Sequence, residues 1–510
     1  MCSIVGFYVF SDARSDRGEL RARLSDAVAV LKTRGPDDEH AIDVGSHCAM
    51  GANRLAIRGQ LPDHGLVARE GPITVTYNGE IYNYGEWAPE DHWDGACIAP
   101  AYLEQGASVF AQFDGEFAIA IHDARTDTLL LARDPFGCRP LYFMLSNGVL
   151  FWASHEDALS CFDDLVPAGA TSDPSTCPYT LTVQEPYTSW QGVWTVPPGH
   201  YLEASRSRAR LCPYVHIGDA AAPTTDFEVL ATRLERSLVS RLTASEPVAI
   251  CLSGGVDSGI IAFTADRLQI PYRVFSVTSM FGHPTTEAEW ILRRCERLQN
   301  ALSITLIDCD DAAADQAIRA VYRRGYYASE RYDTSVVPTH ALYSQMSASG
   351  IRVAIDGAGG DELFHGYPFR QIFGPVSGWP RIWSNPYFYS LHTTLLAFTA
   401  KTERAGGAFS IEARFPFQSV SVLRAAVGLR PTNTLKWPLR RYLLKRCGYG
   451  AALPPDLSGK SGFGVQNFQK ATMIKMLKYQ WQKDRFPTPA QSRPVAFPFK
   501  IGSPLVLSPA

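Results

Sequence analysis

The chain lacks any apolar run approaching the ~20 residues needed to span a bilayer, and its N-terminus has no charged, hydrophobic and cleavage-site series of a targeting peptide. A soluble, cytoplasmic protein with no membrane partner is therefore expected. Charge of one sign is also missing: 48 Lys and Arg stand against 51 Asp and Glu, a formal charge of -3, with the basic residues scattered. No basic field exists to attract nucleic acid. None of the 11 cysteines forms a CxxC pair or a metal-type spacing, which argues against a disulfide framework or a zinc site and leaves most of them as buried thiols. There is no GxxxxGK[ST] string, so a Walker-type transfer of a γ-phosphate is not indicated. No internal repeat is present.

What is there suffices for two or three buried cores: 510 residues, 46% of them hydrophobic. Residues 3 to 10 (SIVGFYVF) read as a strand, and Phe117–Ile121 with Thr128–Ala132 reads as a hairpin across a polar turn. The first third is thus strand-rich and antiparallel. A stretch rich in Pro, Ser, Thr and Gly follows, from about Pro167 to Thr225. Beyond it, short apolar strands (Val248–Leu252, Val274–Val277, Ser303–Ile307, Arg352–Ile355) alternate with helical segments, the pattern of a doubly wound parallel sheet. The expected division is one domain over 2–205, a linker over 206–225, a second domain over 226–483 and a proline-rich tail over 484–510.

Two places carry chemistry. The first is Cys2, which presents a thiol and a free α-amine on one residue once Met1 is removed; the amine, with an unperturbed pKa of about 8, can act as its base. A thiol that attacks an amide also needs donors for the developing oxyanion and a clamp for the rest of the substrate. The Asn78 amide with the Gly79 N–H makes a reasonable donor pair, although Asn-Gly alone also reads as a type I′ hairpin turn. Arg54, Glu80 and Asp94 are placed to recognise the carboxylate and ammonium of an amino acid. Arg133 reads as a structural residue.

The second is Ser253-Gly254-Gly255-Val256-Asp257-Ser258, set between a strand and a helix expected to begin near Asp257. Its glycines admit a close approach of phosphate, and hydroxyls and helix N–H groups bind the anion. A second turn, Asp356-Gly357-Ala358-Gly359-Gly360-Asp361-Glu362, follows another strand. Asp257 and Asp361 are candidates to share Mg²⁺ with the phosphates, since that ion prefers carboxylate, phosphate and water oxygens.

Cys2, Arg34-Gly35-Pro36-Asp37, Asn53-Arg54-Leu55, Tyr77-Asn78-Gly79-Glu80-Ile81-Tyr82-Asn83 and Arg133-Asp134-Pro135-Phe136-Gly137 together resemble the N-terminal-nucleophile (Ntn) glutaminase domain of the glutamine-hydrolysing asparagine synthetases. The SGGVDS string resembles the PP-loop of ATP pyrophosphatases. Ile411 to Phe417 and Gly459 to Gly464 extend the likeness to roughly residues 2–470. The resemblance implies an α+β Ntn-hydrolase-type antiparallel sandwich with helices, followed by an α/β doubly wound parallel-sheet ATP pyrophosphatase domain. It implies that Cys2 attacks glutamine, that Asn78 and Gly79 form the oxyanion hole, and that Arg54, Asn78, Glu80 and Asp94 hold the substrate. It places ATP against Leu252, Ser253, Gly254, Gly255, Asp257, Ser258, Val277, Asp356 and Gly357, Mg²⁺ on Asp257 and Asp361, and a catalytic lysine at Lys460. Glu330, Asp333, Ala358 and His365 become candidates for the acceptor pocket. The small-molecule partners are then glutamine, ATP and a carboxylate; a homodimer is left open.

The family carries an acid where this chain has Ala358, and Pro416-Phe417-Gln418-Ser419 lacks the usual aspartate. The setting of Asp94 also differs, with Trp93 and Gly95 beside it. Asp356, two residues before Ala358, is one source for the missing carboxylate and equally a structural acid. The expected reaction is transfer of glutamine-derived ammonia to an adenylated carboxylate, aspartate or a more specialised one, giving an amide, AMP and pyrophosphate. The alternative is an intramolecular amide former of the β-lactam synthetase or lasso-peptide cyclase type, against which Cys2 argues. A non-catalytic sensor of glutamine or ATP is a further alternative, which Asp257, Asp361 and Lys460 oppose.

Overall fold

The computed structural model describes residues 1–11, 15–57, 67–89, 92–166, 188, 190–215, 226–323, 335–364, 366, 394–427 and 436–448. Glu330, Asp333, His365, Lys460 and the 484–510 tail lie outside the described residues. The chain divides into two compact units: Met1–Ile217 with Gly406–Ser410 and Thr488–Ala510, and Gly218–Ala405 with Ile411–Pro487.

The first unit is built on twelve strands: β1 (Ser3–Val9), β2 (Asp38–Val44), β3 (Cys48–Arg54), β4 (Ala68–Glu70), β5 (Ile73–Ile81), β6 (Gly115–Asp123), β7 (Thr128–Arg133), β8 (Tyr142–Ser146), β9 (Val149–Ala153), β10 (Val193–Thr195), β11 (His200–Ser205) and β12 (Arg208–Pro213). They form two six-stranded sheets in the orders β10-β8-β9-β1-β3-β2 and β12-β11-β7-β6-β5-β4. The pairings within both sheets are antiparallel. Alternating side chains point to opposite faces of a strand, and this alternation sorts the apolar residues into three layers. Ile4 and Tyr8 of β1, Met50 of β3, Ala118 and Ala120 of β6 and Leu131 of β7 share the core between the sheets. Val5 and Phe7 of β1 face outward instead, onto Leu20, Leu24 and Val28 of helix Arg17–Val30. On the outer face of the other sheet, Ile73, Val75, Tyr77 and Ile81 of β5 pack with Ile98 and Tyr102 of helix Ile98–Gln105. The result is helix, sheet, sheet, helix, the expected antiparallel sandwich flanked by helices.

The expected linker over 206–225 begins too early. Residues 208–213 form β12 and pair with β11 from Ser205↔Arg208 to His200↔Pro213. Leu211 and Ala209 are buried in the inter-sheet core, so the alternation of Arg208, Arg210 and Cys212 with buried apolar residues was the overlooked strand signal.

The second unit holds β13 (Val248–Cys251), β14 (Tyr272–Met280), β15 (His283–Pro284), β16 (Ala301–Cys309), β17 (Val353–Ile355) and β18 (Glu412–Arg414), in the order β15-β14-β13-β17-β18 with β16 on β14. All its pairings are parallel except the short β14–β15 contact. β13 and β17, both neighbours in the middle of this sheet, each end in a glycine turn that leads into a helix: Val256–Arg267 after β13 and Gly360–Leu363 after β17. Ligands of open α/β sheets bind beyond the carboxyl ends of such strands. No helix among the described residues is long and apolar enough to cross a membrane.

A fully buried ion pair ties the first unit together beside its N-terminus. Arg139 Nη2 lies 3.1 Å from Glu116 Oε2, with both side chains at zero exposure. Breaking a buried pair on one side costs about 3–5 kcal/mol, whereas an apolar replacement of both partners is close to neutral. Arg139→Met is therefore expected to lower the thermal midpoint of this unit sharply, and adding Glu116→Leu to recover most of the loss; differential scanning calorimetry of the three proteins reads both effects.

Candidate active sites

Strand alternation assembles the first site. The parity that sends Ile4 and Tyr8 between the sheets does the same for Cys2, and the parity of Met50 and Ala52 does so for Arg54 at the end of β3. On β5 the outward residues Tyr77 and Ile81 leave Asn78 and Glu80 on the inner face. Cys2 is half-buried, with its Sγ 3.9 Å from the Leu55 carbonyl. Its neighbour is locked in place: Ser3 pairs with Asn53, and the Ser3 hydroxyl donates to Asn53 Oδ1 at 3.0 Å. Arg34, from the Arg34-Gly35-Pro36-Asp37 turn, donates its Nε–H to the Cys2 carbonyl at 3.3 Å.

Asn78-Gly79 is not a hairpin turn. Both residues sit inside β5, opposite Ala118 and Phe117 of β6. Gly79 holds φ at 144°, and a Cβ there would fall 1.9 Å from the Glu116 carbonyl oxygen, so only glycine fits. The Asn78 side chain has no exposure, and neither its Oδ1 nor its Nδ2 has a hydrogen-bond partner. An unpaired buried amide costs about 1–3 kcal/mol, so this one is a candidate for pairing with a ligand atom.

Asp94 is brought to the same strand by a short 3₁₀ turn, Asp94–Cys97. Its Oδ2 accepts the Ile81 N–H at 2.9 Å and a hydrogen bond from the Tyr77 hydroxyl. Burial, then the charges of Asp94 and Glu80, the hydrogen bond to Asp94 and Cys2, push the Tyr77 phenol well above its ordinary range. The charges of Cys2, Glu80 and Asp94 thus all act on one phenol. The unusual neighbours of Asp94 have a packing reason: Trp93 lies against Tyr77 with ring centroids 5.7 Å apart, and any Cβ on Gly95 would meet both rings within 2.6 Å. Arg133 is structural, as expected. Buried, it donates to the carbonyls of Arg139, Val196 and Gly137 at 2.7, 3.0 and 2.9 Å. Asp134 beside it accepts three backbone N–H groups, from Phe136, Cys138 and Arg139.

In the second unit, Ser253-Gly254-Gly255 folds over the start of helix Val256–Arg267. Ser258 closes the loop on itself: its hydroxyl accepts the Ser253 N–H at 2.9 Å, and the Ser253 hydroxyl accepts the Gly255 N–H at 3.0 Å. The first N–H groups of the helix have no intrahelical acceptor and face the loop mouth, an anion-binding arrangement. Leu252 donates its N–H to Phe275 of β14, and Ser276 donates to the Leu252 carbonyl, which carries Val277 alongside. Asp356 ends β17 and turns the chain by accepting the Ala358 N–H at 2.8 Å. Burial raises its carboxyl above the ordinary value, countered by that N–H, Lys401 and Thr402. One of its oxygens is thus committed to the turn, which favours the structural role. The second turn passes so close to the first that a Cβ on Gly360 would stand 2.4 Å from Asp257 Cγ. Asp257 and Asp361 converge on a single point, and the ammonium of Lys436 occupies it, 2.5 Å from Asp257 Oδ2 and 2.6 Å from Asp361 Oδ1.

Known proteins match both units. A glutamine amidotransferase domain model matches residues 1–215, and an asparagine synthase model matches residues 229–383. Asparagine synthetase B (glutamine-hydrolysing) of Escherichia coli is 26% identical across 94% of this chain and 83% of its own length. Both units are thus similar to the asparagine synthetases. The chain is an ATP-dependent, glutamine-hydrolysing ligase. The asparagine synthetase of Sandersonia aurantiaca is 25% identical over 86% of this chain and 82% of its own length. The amidase chyE of Penicillium rubens is 27% identical over 75% of this chain, which spans only 62% of that protein.

Three residues around the PP-loop of this asparagine synthetase relative were not singled out from sequence. Glu287 accepts the Gly254 N–H at 2.9 Å, and Arg294 donates to the Ser253 carbonyl at 2.7 Å. They stand seven residues apart, so two turns of helix Ala288–Cys295 and its leading residue clamp the loop from one side. Glu287 had a signal in its position before an amphipathic helix; Arg294 had none. The third is Lys436, with φ at 54°, a left-handed conformation that costs a non-glycine residue about 1–3 kcal/mol. A further departure also acquires a contact: Gln418, in the stretch that lacks the usual aspartate, donates its amide to the Ala358 carbonyl at 3.3 Å and to Thr399 at 3.0 Å.

Gly360→Ala is expected to push Asp257 out of register, and displacements near 1 Å cost about 100-fold in rate. ATP-dependent pyrophosphate release should fall by that order while glutamine hydrolysis persists. Asp94→Asn should instead raise the KM for glutamine and leave ammonia-driven synthesis unchanged, as steady-state assays with each nitrogen source would read.

Proposed function

We propose that this ligase draws ammonia from glutamine at Cys2 and transfers it to an adenylated carboxylate acceptor other than free aspartate. The observation that carries the glutaminase half is the buried, unpartnered amide of Asn78, on the inner face of the sheet opposite the strand that Cys2 precedes. With Met1 removed, the α-amine of Cys2 takes the thiol proton and the sulfur attacks the glutamine amide carbon. The Asn78 amide and Gly79 N–H then receive the oxyanion, and Arg54, Glu80 and Asp94 hold the amino-acid end. Ammonia leaves with the proton that the amine returns, and water releases glutamate from the thioester.

In the synthetase half, Ser253, Gly254, Gly255 and Ser258, with the helix start, form the cradle for the ATP phosphates, flanked by Leu252, Val277, Asp356 and Gly357. Asp257 and Asp361 fit a divalent metal: two carboxylates from different turns already converge on one cation. Mg²⁺ suits such a pair, since it keeps waters and shares phosphate oxygens. When bound, Mg²⁺ would neutralise charge on the departing pyrophosphate. The acceptor carboxylate attacks the α-phosphorus, pyrophosphate leaves, and ammonia displaces AMP. Lys460 is assigned to charge building on the phosphate and carboxyl oxygens.

Ala358 supports the choice of acceptor. It offers no carboxylate, Asp356 is engaged by the turn, and Gln418 rather than an acid reaches the Ala358 carbonyl. Neutral ammonia needs no base to attack an acyl-adenylate, so the loss touches the acceptor more than the nitrogen donor. Glu330, Asp333 and His365 remain candidates to line the acceptor pocket.

Pyrophosphate release with Mg²⁺ATP and glutamine, with and without aspartate, tests the reading. We expect glutamate formation with no aspartate-dependent pyrophosphate, and mass spectrometry against a panel of carboxylates to reveal the amide. Aspartate-dependent pyrophosphate with asparagine as product would overturn the acceptor assignment. Cys2→Ala should abolish glutamine use and keep ammonia-driven synthesis; loss of both would remove Cys2 from the nitrogen-donor role.

A further inference from the structure

Lys436 stands where the metal of the proposed adenylation reaction belongs. We propose that it is a built-in counter-cation, which fills the metal position of the empty enzyme and admits a divalent ion only together with nucleotide phosphates. The inference rests on the reading that Asp257 and Asp361 hold that metal.

The geometry is exclusive. The Lys436 Nζ lies 2.5 Å from Asp257 Oδ2 and 2.6 Å from Asp361 Oδ1. A magnesium ion bound by both carboxylates requires oxygens at about 2.0–2.1 Å, so ion and ammonium cannot share the point between them. The side chain is also shaped into this place. Lys436 is 4% exposed, and a Cβ on Gly366 would lie 2.5 Å from Lys436 Cε and 1.8 Å from Asp361 Oδ1. Only a residue without a side chain leaves the lysine room beside Asp361.

The backbone is held there against its preference. Lys436 is the residue before helix Trp437–Arg446, in a left-handed conformation with φ at 54°, and it sets a cation at the positive end of a helix. Both features are unfavourable alone, and the two ion pairs offset them. The lysine is therefore poised to leave when its carboxylates find another cation.

Among the described residues a bare divalent ion meets the carboxylates of Asp257 and Asp361, already paired with one ammonium, and must shed water to reach them. Nucleotide phosphates bring further oxygens and negative charge, and the exchange of ammonium for metal becomes favourable. Metal loading is thus ordered behind nucleotide. A lysine serving merely as a structural cross-link between the two turns and the helix would show no such competition.

Titration of full-length protein with Mn²⁺, followed by the electron paramagnetic resonance of the free ion, separates these roles. Wild type should bind Mn²⁺ weakly without nucleotide and tightly with ATP, in the absence of glutamine and acceptor. Lys436→Met should bind Mn²⁺ without nucleotide at least about tenfold more tightly than wild type, the effect of one lost ionic competitor. Lys436→Gln takes its place if the methionine variant does not fold by circular dichroism. Tight nucleotide-free binding by wild type overturns the proposal, as does equal nucleotide-free binding by wild type and the folded variant. If Asp257→Asn and Asp361→Asn bind Mn²⁺ with ATP as tightly as wild type does, the metal assignment itself fails.

Discussion

The proposed glutaminase site depends on one constraint: Cys2, the residue just before β1, must not fray. Terminal residues are ordinarily loose unless a sheet ties them down. Here β1 lies inside its sheet, hydrogen-bonded to β9 on one side and β3 on the other. Ser3 is pinned to Asn53 by ladder and side chain alike, and Asn53 in turn holds the Val28 carbonyl of the packed helix at 3.2 Å. Cys2 is thereby carried to the end of the inter-sheet layer, opposite the inner face of β5. Asn78 needs no loop of its own, because strand alternation already aims it at the same layer. Rigid strands are better supports for such a constellation than loops.

In the synthetase unit the governing problem is repulsion. Two parallel strands, β13 and β17, deliver Asp257 and Asp361 to one point, and glycines at 357 and 360 let their turns meet. Two carboxylates that close require a cation between them. The ammonium of Lys436 answers that need in the structure, at the point where the proposed adenylation would place a metal. The clamp on the first turn by Glu287 and Arg294 keeps its backbone fixed while the charges exchange.

Much of this was legible in the sequence, for identifiable reasons. The hairpin of Phe117–Ile121 and Thr128–Ala132 was readable because alternation is local, and it lengthens only to Gly115–Asp123 and Thr128–Arg133 in the structure. The loop Ser253–Ser258 was readable because glycine and serine encode its backbone geometry directly. Residues 208–213 read as linker by sequence but form β12, since a short strand with charges on one face looks like a polar connection until it finds its sheet. Asn78-Gly79 carried a turn signature, and only pairing with β6 shows that the glycine serves a close approach to the Glu116 carbonyl.

By itself the sequence determined the chemistry on offer: a thiol at residue 2, an anion-binding turn after β13, two aspartates in paired glycine-rich turns, and no acid at Ala358. Those are properties of residue type and near-neighbour spacing. Tertiary structure decided which groups meet. The convergence of Lys436 on Asp257, 179 residues earlier, and on Asp361 in a separate turn, the clamp of Arg294 on Ser253, and the burial of Asn78 without a partner all depend on side chains from distant segments. No local pattern encodes a contact whose energy appears only when the sheets and helices have packed.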